Sequence, residues 1–353
     1  MNSGQSSWIL KPCLRTTTLR KILADKANKE SRIARQSHAE WDSDRLRERL
    51  PWMFKWRVPP ILKRLVPAFV VRGVRELKGK ALTRDFPRNI EYKQAPEDVQ
   101  ASACISVIVP IHDAPRTTHR CLASLEKYAS ESEVILVDDA SELSETSEVI
   151  RRFSNRNGWK VVRHQKAVGH SEACRAGARL AARPYLCLLN SDTVVAPWCW
   201  RQVAEVFERD PRIGVIGPST SAGCPVQVLS LANYLSPYWN DNQICAFAKR
   251  LMTEFQEPVE LDLPWVAGFA FFIRHSLWVE VGGFDHELPD YGNEIELCNR
   301  IAEKGFRIVW IRNAYIHHFG GQSYGQIWGD EGIQARIRAS EAYIEQKKRS
   351  LTP

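Results

Sequence analysis

Tyr185-Leu-Cys-Leu-Leu-Asn-Ser-Asp192 places a run of five strand-forming residues directly before three polar ones. A short, unbroken apolar run is typical of a strand that is buried on both faces. A carboxylate at Asp192, with an amide oxygen at Asn190 on the same side of the chain, could hold Mg²⁺ or Mn²⁺. The same triplet could instead turn the chain and cap the next segment. The residues around this stretch decide between the two interpretations.

The segments before this stretch alternate between strand and helix patterns. Strands are predicted at Cys104–Pro110, Glu133–Val137 and Lys160–Arg163, and helices at Pro115–Tyr128, Ser141–Phe153 and Ser171–Ala182. This alternation predicts an α/β domain with a mostly parallel central sheet flanked by helices. Ligands bind at the carboxyl ends of the strands in such sheets. Several residues with binding potential fall at that end: Pro110, His112, Asp113, Asp138, Asp139, Asn190 and Asp192.

The pattern after residue 212 is less regular. It predicts a strand at Ile213–Pro218, a strand or buried loop at Trp265–Ile273, helices at His275–Val281 and Glu294–Lys304, and a last strand at Phe306–Ile311. The pair His317-His318 follows that strand, and 330–350 is a polar segment with helical composition. We therefore divide the chain into a basic, largely helical N-terminal extension (1–100), a main domain (101–325) and a C-terminal helical tail (326–353).

The composition narrows the class of protein. With 353 residues and 44% apolar content, the chain is globular, and none of its apolar runs approaches the ~20 residues that span a bilayer. The nine cysteines include no C-x-x-C pair, which favours reduced thiols over a disulfide framework or a zinc site. The first twelve residues lack the pattern of a signal peptide. We therefore expect a cytoplasmic protein.

The positive charge is concentrated in the N-terminal extension. Residues 1–100 carry 22 Lys and Arg against 11 Asp and Glu, so the rest of the +8 chain is slightly acidic. A nucleic-acid-binding protein would spread basic residues over the folded domain, and we expect no nucleic-acid partner. In residues 51–80, aromatic and aliphatic residues alternate with cations. That segment could lie on an anionic membrane surface, or form a helical arm packed on its own catalytic domain or a partner subunit.

Asp138-Asp139-Ala-Ser141 ends the second predicted strand. Two carboxylates there could accept hydrogen bonds from the imide of a uracil-type base and from ribose hydroxyls. Asp139 or Ser141 could also cap the following helix, and the two roles are compatible.

Together these motifs resemble glycosyltransferase family 2, which has the GT-A fold. The resemblance covers about two-thirds of the chain, from Cys104 to Ser323, in the family's order. The matching segments are Ile105-Ser-Val-Ile-Val-Pro-Ile-His-Asp113, Glu133-Val-Ile-Leu-Val-Asp-Asp-Ala-Ser141, the glycine-containing stretch 169–177, Leu188-Leu-Asn-Ser-Asp-Thr-Val194, Gly282-Gly-Phe-Asp285, Asn293-Glu-Ile-Glu-Leu-Cys298 and His317-His318. Asn190-Ser-Asp192 falls where the family has its D-x-D-type metal motif.

The resemblance implies a set of nucleotide-sugar-binding residues and a metal site. The nucleotide-sugar set is Pro110, His112, Asp113, Asp138, Asp139, Gly169, Arg175, Asn190 and Ser191. Asp192 would be the main ligand of Mn²⁺ or Mg²⁺, with Asn190 nearby and His317 or His318 completing the metal or diphosphate contacts.

The resemblance also implies a catalytic base, at a place where the chain departs from the family. The family's usual Glu-Asp pair is Asn293-Glu294 here, so the base would be Glu294, with Glu296 as the alternative and Asp290 as a third candidate. Trp265, Gly268 and Asp290 would lie on the acceptor side. Two further departures alter the nucleotide pocket: Cys174-Arg175 replaces Arg-Asn, and His112-Asp113 replaces Tyr-Asn.

The activity implied is metal-dependent, inverting sugar transfer from a nucleotide-diphosphate sugar, with a UDP-sugar favoured. The acceptor would be a hydroxyl of a glycan or lipid-linked saccharide in surface polysaccharide synthesis, at the cytoplasmic face of a membrane. A nucleotidyltransferase or an NAD-linked oxidoreductase would need a glycine-rich loop after the first strand, and 110–115 contains no glycine. A non-catalytic scaffold subunit stays open, because Asn293-Glu294 departs from the family pair.

Overall fold

The computed structural model describes residues 96–221, 227–229, 240–254, 258, 260–320 and 322–350. The predicted extension up to residue 95, including the segment 51–80, lies outside the described residues. A helix at Pro96–Ser102 (α1) opens the described part and packs against a later helix, Cys199–Arg209 (α5).

Four parallel strands form the first half of the sheet. They are Ile105–Ile111 (β1), Glu133–Asp138 (β2), Lys160–Arg163 (β3) and Tyr185–Leu189 (β4), arranged in the order β3-β2-β1-β4. The helices between them are Pro115–Tyr128 (α2), Ser144–Asn157 (α3) and His170–Ala178 (α4). Every residue of β1 and β4 is buried, as the unbroken apolar runs predicted. The predicted α/β alternation is confirmed here.

The second half of the sheet is mixed rather than parallel. It contains Thr193–Val195 (β5), Ile213–Ser219 (β6), Glu260–Asp262 (β7), Ala270–Arg274 (β8) and Arg307–His318 (β9). Strand β8 lies antiparallel between β4 and β6, β9 runs parallel to β6, and β5 and β7 both pair antiparallel with β9. Four of the eight strand pairings in the described part of the chain are therefore antiparallel. The predicted mostly parallel arrangement holds only for the first half of the sheet.

The remaining described helices are Asp241–Glu254 (α6), His275–Val281 (α7), Asn293–Glu303 (α8) and Gln322–Ser350 (α9). Strand β9 continues seven residues beyond the predicted end at Ile311, because its second part pairs with β5. That pairing sets Thr193 opposite His318, so the end of β9 meets the residue after Asp192. Among the described residues, no helix combines the length and apolar character needed to cross a membrane.

Candidate active site

Asp192 and His318 form a buried pair at the carboxyl edge of the sheet. Only 6% of Asp192 and 7% of His318 is exposed, and Asp192 Oδ1 lies 3.1 Å from His318 Nε2. The Phe319 amide donates to the Asp192 carbonyl over 2.9 Å, which fixes the two segments together. The Phe269 ring stacks on His318 with centroids 5.3 Å apart. Of the two histidines in the predicted pair, His318 is the one that lies against the Asn-Ser-Asp segment.

His317 points away from Asp192. Successive side chains of a strand face opposite sides of the sheet, and the fully buried His317 bonds through Nδ1 to the Tyr315 hydroxyl at 2.8 Å. The prediction of His317 as a metal or diphosphate contact does not fit this placement, because the strand's alternation sends its ring to the other face.

The Asp192–His318 pair has the chemistry to hold a divalent cation. A carboxylate oxygen and an imidazole nitrogen are both possible ligands of such a cation, and Asp192 Oδ1 and His318 Nε2 lie within 3.1 Å of each other. In the described part of the chain, no cluster of three or more His, Cys, Asp or Glu side chains could hold a metal. The rest of a cation's shell would therefore come from the Asn190 amide, water and diphosphate, as is usual for hard cations.

Asn190 and Ser191 sit where β4 ends. The Asn190 backbone amide donates to the Phe269 carbonyl oxygen over 2.9 Å. Ser191 is buried beside them. The turn interpretation of this triplet also holds in part, because the Thr193 hydroxyl donates to the Asn190 carbonyl over 2.8 Å.

Asp138 and Asp139 are buried and engaged by the protein itself. Asp138 accepts from the Ser141 amide over 2.9 Å and pairs with the Arg163 guanidinium. Asp139 accepts from the amides of Val168 and Gly169 and bonds His164 Nδ1 at 2.8 Å. These contacts hold the loop 164–169 against the end of β2.

The residues that end β1 also join loops. Pro110 is buried within β1 opposite Val137. His112 Nδ1 lies 2.7 Å from the Asp139 carbonyl oxygen. Asp113 adopts a left-handed conformation with φ 54° and accepts from the amides of Glu142 and Leu143. The ends of β1 and β2 are therefore joined by hydrogen bonds into one surface, formed by His112, Asp113, Asp138 and Asp139, which we call the ledge.

Gly169 permits a close approach between this ledge and the loop before α8. Its φ is +92°, and a Cβ there would lie 3.0 Å from the Pro289 side chain and 3.1 Å from Asp290 Oδ1. A larger residue would meet both strain and a clash.

Arg175 is not directed toward a diphosphate. Its Nη1 donates to the carbonyls of Gly282 and Phe284 over 2.6 Å and 2.8 Å. Because those carbonyls fix the guanidinium to the loop after α7, the predicted diphosphate contact does not fit the structure.

Glu294 is a half-buried residue in the first turn of α8. Burial raises the pKa of its carboxyl group, although the amides of Glu294 and Gly268 partly oppose the shift. The carboxylate lies over Gly268, where an added Cβ would be 3.8 Å from Glu294 Oε1. A raised pKa makes a carboxylate a stronger base.

Glu296, the alternative base, is committed to ion pairs. Its carboxylate accepts from the Arg300 guanidinium at 2.6–3.0 Å and from Lys347 Nζ at 2.7 Å. Both carboxylate oxygens of Glu296 are therefore engaged by cationic side chains.

The acceptor-side candidates separate in the structure. Gly268 contacts Glu294, whereas Trp265 is partly buried against the hydrophobic core. Asp290 Oδ2 pairs with Arg336 of α9 at 3.0 Å, and its Oδ1 faces Gly169. Asp290 therefore links three segments around the site.

Two site residues escaped the sequence analysis. His170 Nδ1 lies 3.3 Å from Asn293 Nδ2, and Asn293, the first residue of α8, accepts from the Glu294 backbone amide through Oδ1 over 2.9 Å. Both belong to the quoted motif segments, but a lone His or Asn after a glycine carries no periodic signal. Their contacts across more than a hundred residues become visible only in the fold.

Comparison with known proteins gives a consistent set of matches. Residues 106–250 match the model described as glycosyl transferase family 2. An N-acetylglucosaminyl-diphospho-decaprenol L-rhamnosyltransferase of Mycobacterium tuberculosis (strain ATCC 25618 / H37Rv) is 25% identical over 153 residues, covering 40% of this chain and 49% of the relative. A hyaluronan synthase of Pasteurella multocida is 33% identical over 286 residues, covering 69% of this chain and 29% of the synthase.

The chain thus spans about half the length of the mycobacterial relative and less than a third of the synthase. A solved mannosyltransferase of Pyrobaculum calidifontis, in complex with GDP-Man and Mn²⁺, aligns with a TM-score of 0.47 at 17% identity. That alignment covers 74% of this chain and 69% of the mannosyltransferase.

Proposed function

We propose that this chain, whose residues 106–250 match the glycosyl transferase family 2 model, is a metal-dependent, inverting glycosyltransferase that uses a nucleotide-diphosphate sugar. In this proposal Asp192 and His318 hold Mn²⁺ or Mg²⁺, and Glu294 is the base. The acceptor is a hydroxyl of a glycan or of a lipid-linked saccharide.

The observation that carries the proposal is the position of Gly268-Phe269 between two chemically different groups. Glu294 lies over Gly268, while Phe269 accepts from the Asn190 amide and stacks on His318. A cation-binding pair and a carboxylate with a raised pKa thus flank one short stretch of chain. Sugar transfer needs both groups at one place.

The mechanism follows from the chemistry of these residues. Glu294 takes the proton of the acceptor hydroxyl as the oxygen attacks the anomeric carbon. A divalent cation at Asp192 and His318 would stabilise the negative charge that develops on the diphosphate. One base on the acceptor side implies a single displacement, so an α-linked sugar nucleotide gives a β-linked product.

The ledge formed by His112, Asp113, Asp138 and Asp139 would carry the nucleoside. A UDP-sugar is favoured, because carboxylates and carbonyls there suit the imide of uracil. The acceptor class is supported by the mycobacterial relative, whose name gives N-acetylglucosaminyl-diphospho-decaprenol as its substrate. For this chain we propose a role in surface polysaccharide synthesis at the cytoplasmic face of a membrane.

The test is a panel of UDP-, GDP- and dTDP-sugars, assayed for release of nucleoside diphosphate with Mn²⁺, with Mg²⁺ and with EDTA. We expect release with at least one UDP-sugar that depends on the metal. A scaffold subunit would release none under any condition. NMR of the anomeric proton of the product then tests inversion, and retention of configuration would contradict the single displacement.

The basic segment 51–80 completes the proposal as a contact with anionic lipid. Its alternating aromatic and cationic residues suit such a surface. The full chain and a chain lacking residues 1–95 would be sedimented with vesicles containing phosphatidylglycerol. Equal binding of the two would contradict a lipid-binding role for this segment.

A further inference from the structure

One face of α9 packs against the loop 285–292, which leads into the helix of the candidate base. Arg336 Nη1 donates to Asp290 Oδ2 over 3.0 Å. Gly292, at the end of the loop, lies so close to α9 that an added Cβ would be 3.0 Å from the Ile344 side chain. The contacting residues of α9 recur every three or four positions, which is the spacing of one helical face: Arg336, Ser340, Ile344 and Lys347.

Lys347 joins two acidic residues, one at the start of this loop and one beyond its end. Its Nζ donates to Asp285 Oδ2 and, over 2.7 Å, to Glu296 Oε1. The Tyr343 hydroxyl, one turn earlier on α9, donates to the same Asp285 oxygen over 3.0 Å. Both carboxylates are largely buried, with 15% of the Asp285 side chain and 4% of the Glu296 side chain exposed. One ammonium group therefore ties the start of the loop to the first turn of α8.

This bridge acts on the candidate base through the backbone of α8. Glu294 and Glu296 belong to the same first turn of that helix, so a shift of the turn moves both. Because one ammonium contacts both carboxylates, Asp285 and Glu296 lie within two hydrogen-bond lengths of each other. Two carboxylates at that spacing repel, and removal of the cation from such a buried group leaves charge uncompensated. Loss of the Lys347 ammonium should therefore push the loop and the start of α8 apart.

We propose that Lys347 is a positioning residue that holds the loop 285–292 against the first turn of α8 and thereby fixes the place of Glu294. The inference rests on the proposed function, in which Glu294 is the base. A second contact holds the same loop from α4, because Ser171 N donates to the Pro289 carbonyl over 2.8 Å. Helices α4 and α9 thus both hold the loop, and Lys347 also ties it to α8.

Four variants of the full chain test this role. Lys347→Met keeps an unbranched side chain and removes the charge, while Lys347→Arg retains a cation with several donors. Arg349→Met is the matched control, because exposed Arg349 pairs within α9 with exposed Glu345 at 3.4 Å. The fourth variant combines Lys347→Met with Asp285→Asn, which removes the repulsion between the two carboxylates. All kinetics are measured below the unfolding temperature of each variant.

Hydrogen exchange of the peptide covering 285–296 reports on the bridge without any need for activity. We expect faster exchange in Lys347→Met, recovery in Lys347→Arg, partial recovery in the double variant and the wild-type rate in Arg349→Met. For the nucleotide sugar that the wild type hydrolyses fastest, Lys347→Met should lower kcat roughly 10- to 100-fold, because the base is displaced, while KM changes less. Lys347→Arg should regain most of that loss, and the double variant should regain part of it.

Wild-type exchange in 285–296, or a kcat within about twofold of wild type, in Lys347→Met would overturn the positioning role. A kcat loss that the double variant leaves unchanged or deepens would do the same, because the loss would then not arise from repulsion between Asp285 and Glu296. A wild type that releases no nucleoside diphosphate from any sugar would instead contradict the proposed function, and the exchange rates would still decide whether Lys347 holds the loop.

Discussion

The two halves of the candidate site use their acidic side chains in opposite ways. At the ends of β1 and β2, Asp113, Asp138 and Asp139 are met by backbone amides, an arginine and a histidine. At the start of α8, burial raises the pKa of the Glu294 carboxyl. The three aspartates are occupied by donors of the protein, whereas burial raises the pKa of the Glu294 carboxyl.

This difference separates residues that build the pocket from the residue that reacts. Their hydrogen bonds to fixed backbone amides suit the three aspartates to hold loops beside the nucleoside pocket. A base must gain and lose a proton during each turnover. Glu296 shows the contrast within a single helical turn, because Arg300 and Lys347 neutralise it.

The largest expected effect is that of Asp192→Ala. Because Asp192 would be the main metal ligand, we expect transfer to fall by at least about 10³-fold with the fold retained. Turnover is measured against Mn²⁺ concentration, and circular dichroism checks the fold. Asp262→Ala is the control, since Asp262 is an exposed partner of Arg307 at β7. Near-normal turnover of Asp192→Ala would show that the Asn190-Ser191-Asp192 segment is not part of the active site.

Next comes the comparison of Glu294→Gln with Glu296→Gln. Loss of a general base should lower kcat by about 10²- to 10⁴-fold with little change in KM for the nucleotide sugar. Glu296→Gln should keep much more of the activity, and its main effect should be a loss of about 1–3 kcal/mol in the free energy of unfolding, because two cations lose their carboxylate. Steady-state kinetics and chemical denaturation measure the two effects. The reverse pattern would assign the base to Glu296.

On the nucleotide side, Asp139→Asn should affect stability and binding more than chemistry. An amide cannot accept from Val168, Gly169 and His164 as a carboxylate does. We expect a loss of about 1–3 kcal/mol in the free energy of unfolding and a raised KM for the nucleotide sugar. Glu142→Gln is the control, because the Glu142 side chain is exposed and the residue is adjacent to the ledge. An unchanged KM together with wild-type stability would show that the ledge is not held by Asp139.

The sequence predicted the first half of the fold better than the second for a physical reason. Strands β1 and β4 are buried on both faces, so their composition alone marks them. Strands β5 and β7 have three residues each and exist because β9 pairs with them. Helix α5 did leave a signal, since Trp200, Val203 and Phe207 recur at helical spacing and are buried.

The site shows the same division. Asp192 follows β4, whose unbroken apolar sequence identifies it as a buried strand, so the position of Asp192 at the sheet edge could be predicted. The choice between Glu294 and Glu296 could not, because it depends on Lys347, which is distant in sequence and reaches Glu296 from α9. The choice between His317 and His318 needed the register of β9 against β5.

The smallest expected effect concerns the acid limb of the pH–rate profile. Transfer requires Glu294 in its ionised form, so kcat/KM for the acceptor should fall as pH drops through the pKa of Glu294. Because burial raises that pKa, the acid limb should lie at higher pH than the limb of an enzyme whose base is an unperturbed glutamate. At pH values below the pKa, the rate should fall about tenfold per pH unit.

Gly268→Ala should move this limb further to higher pH. The new methyl group would lie 3.8 Å from the Glu294 carboxylate, an ordinary contact that excludes water without a clash, and further desolvation raises the pKa of a carboxylic acid. The profile is measured from about pH 4 to about pH 8, with the alkaline limb of the same variant as the internal reference. An acid limb that stays in place or moves to lower pH would show that the proton-accepting group is not the Glu294 carboxylate over Gly268. Glu294 would then no longer differ in function from the hydrogen-bonded aspartates at the ends of β1 and β2.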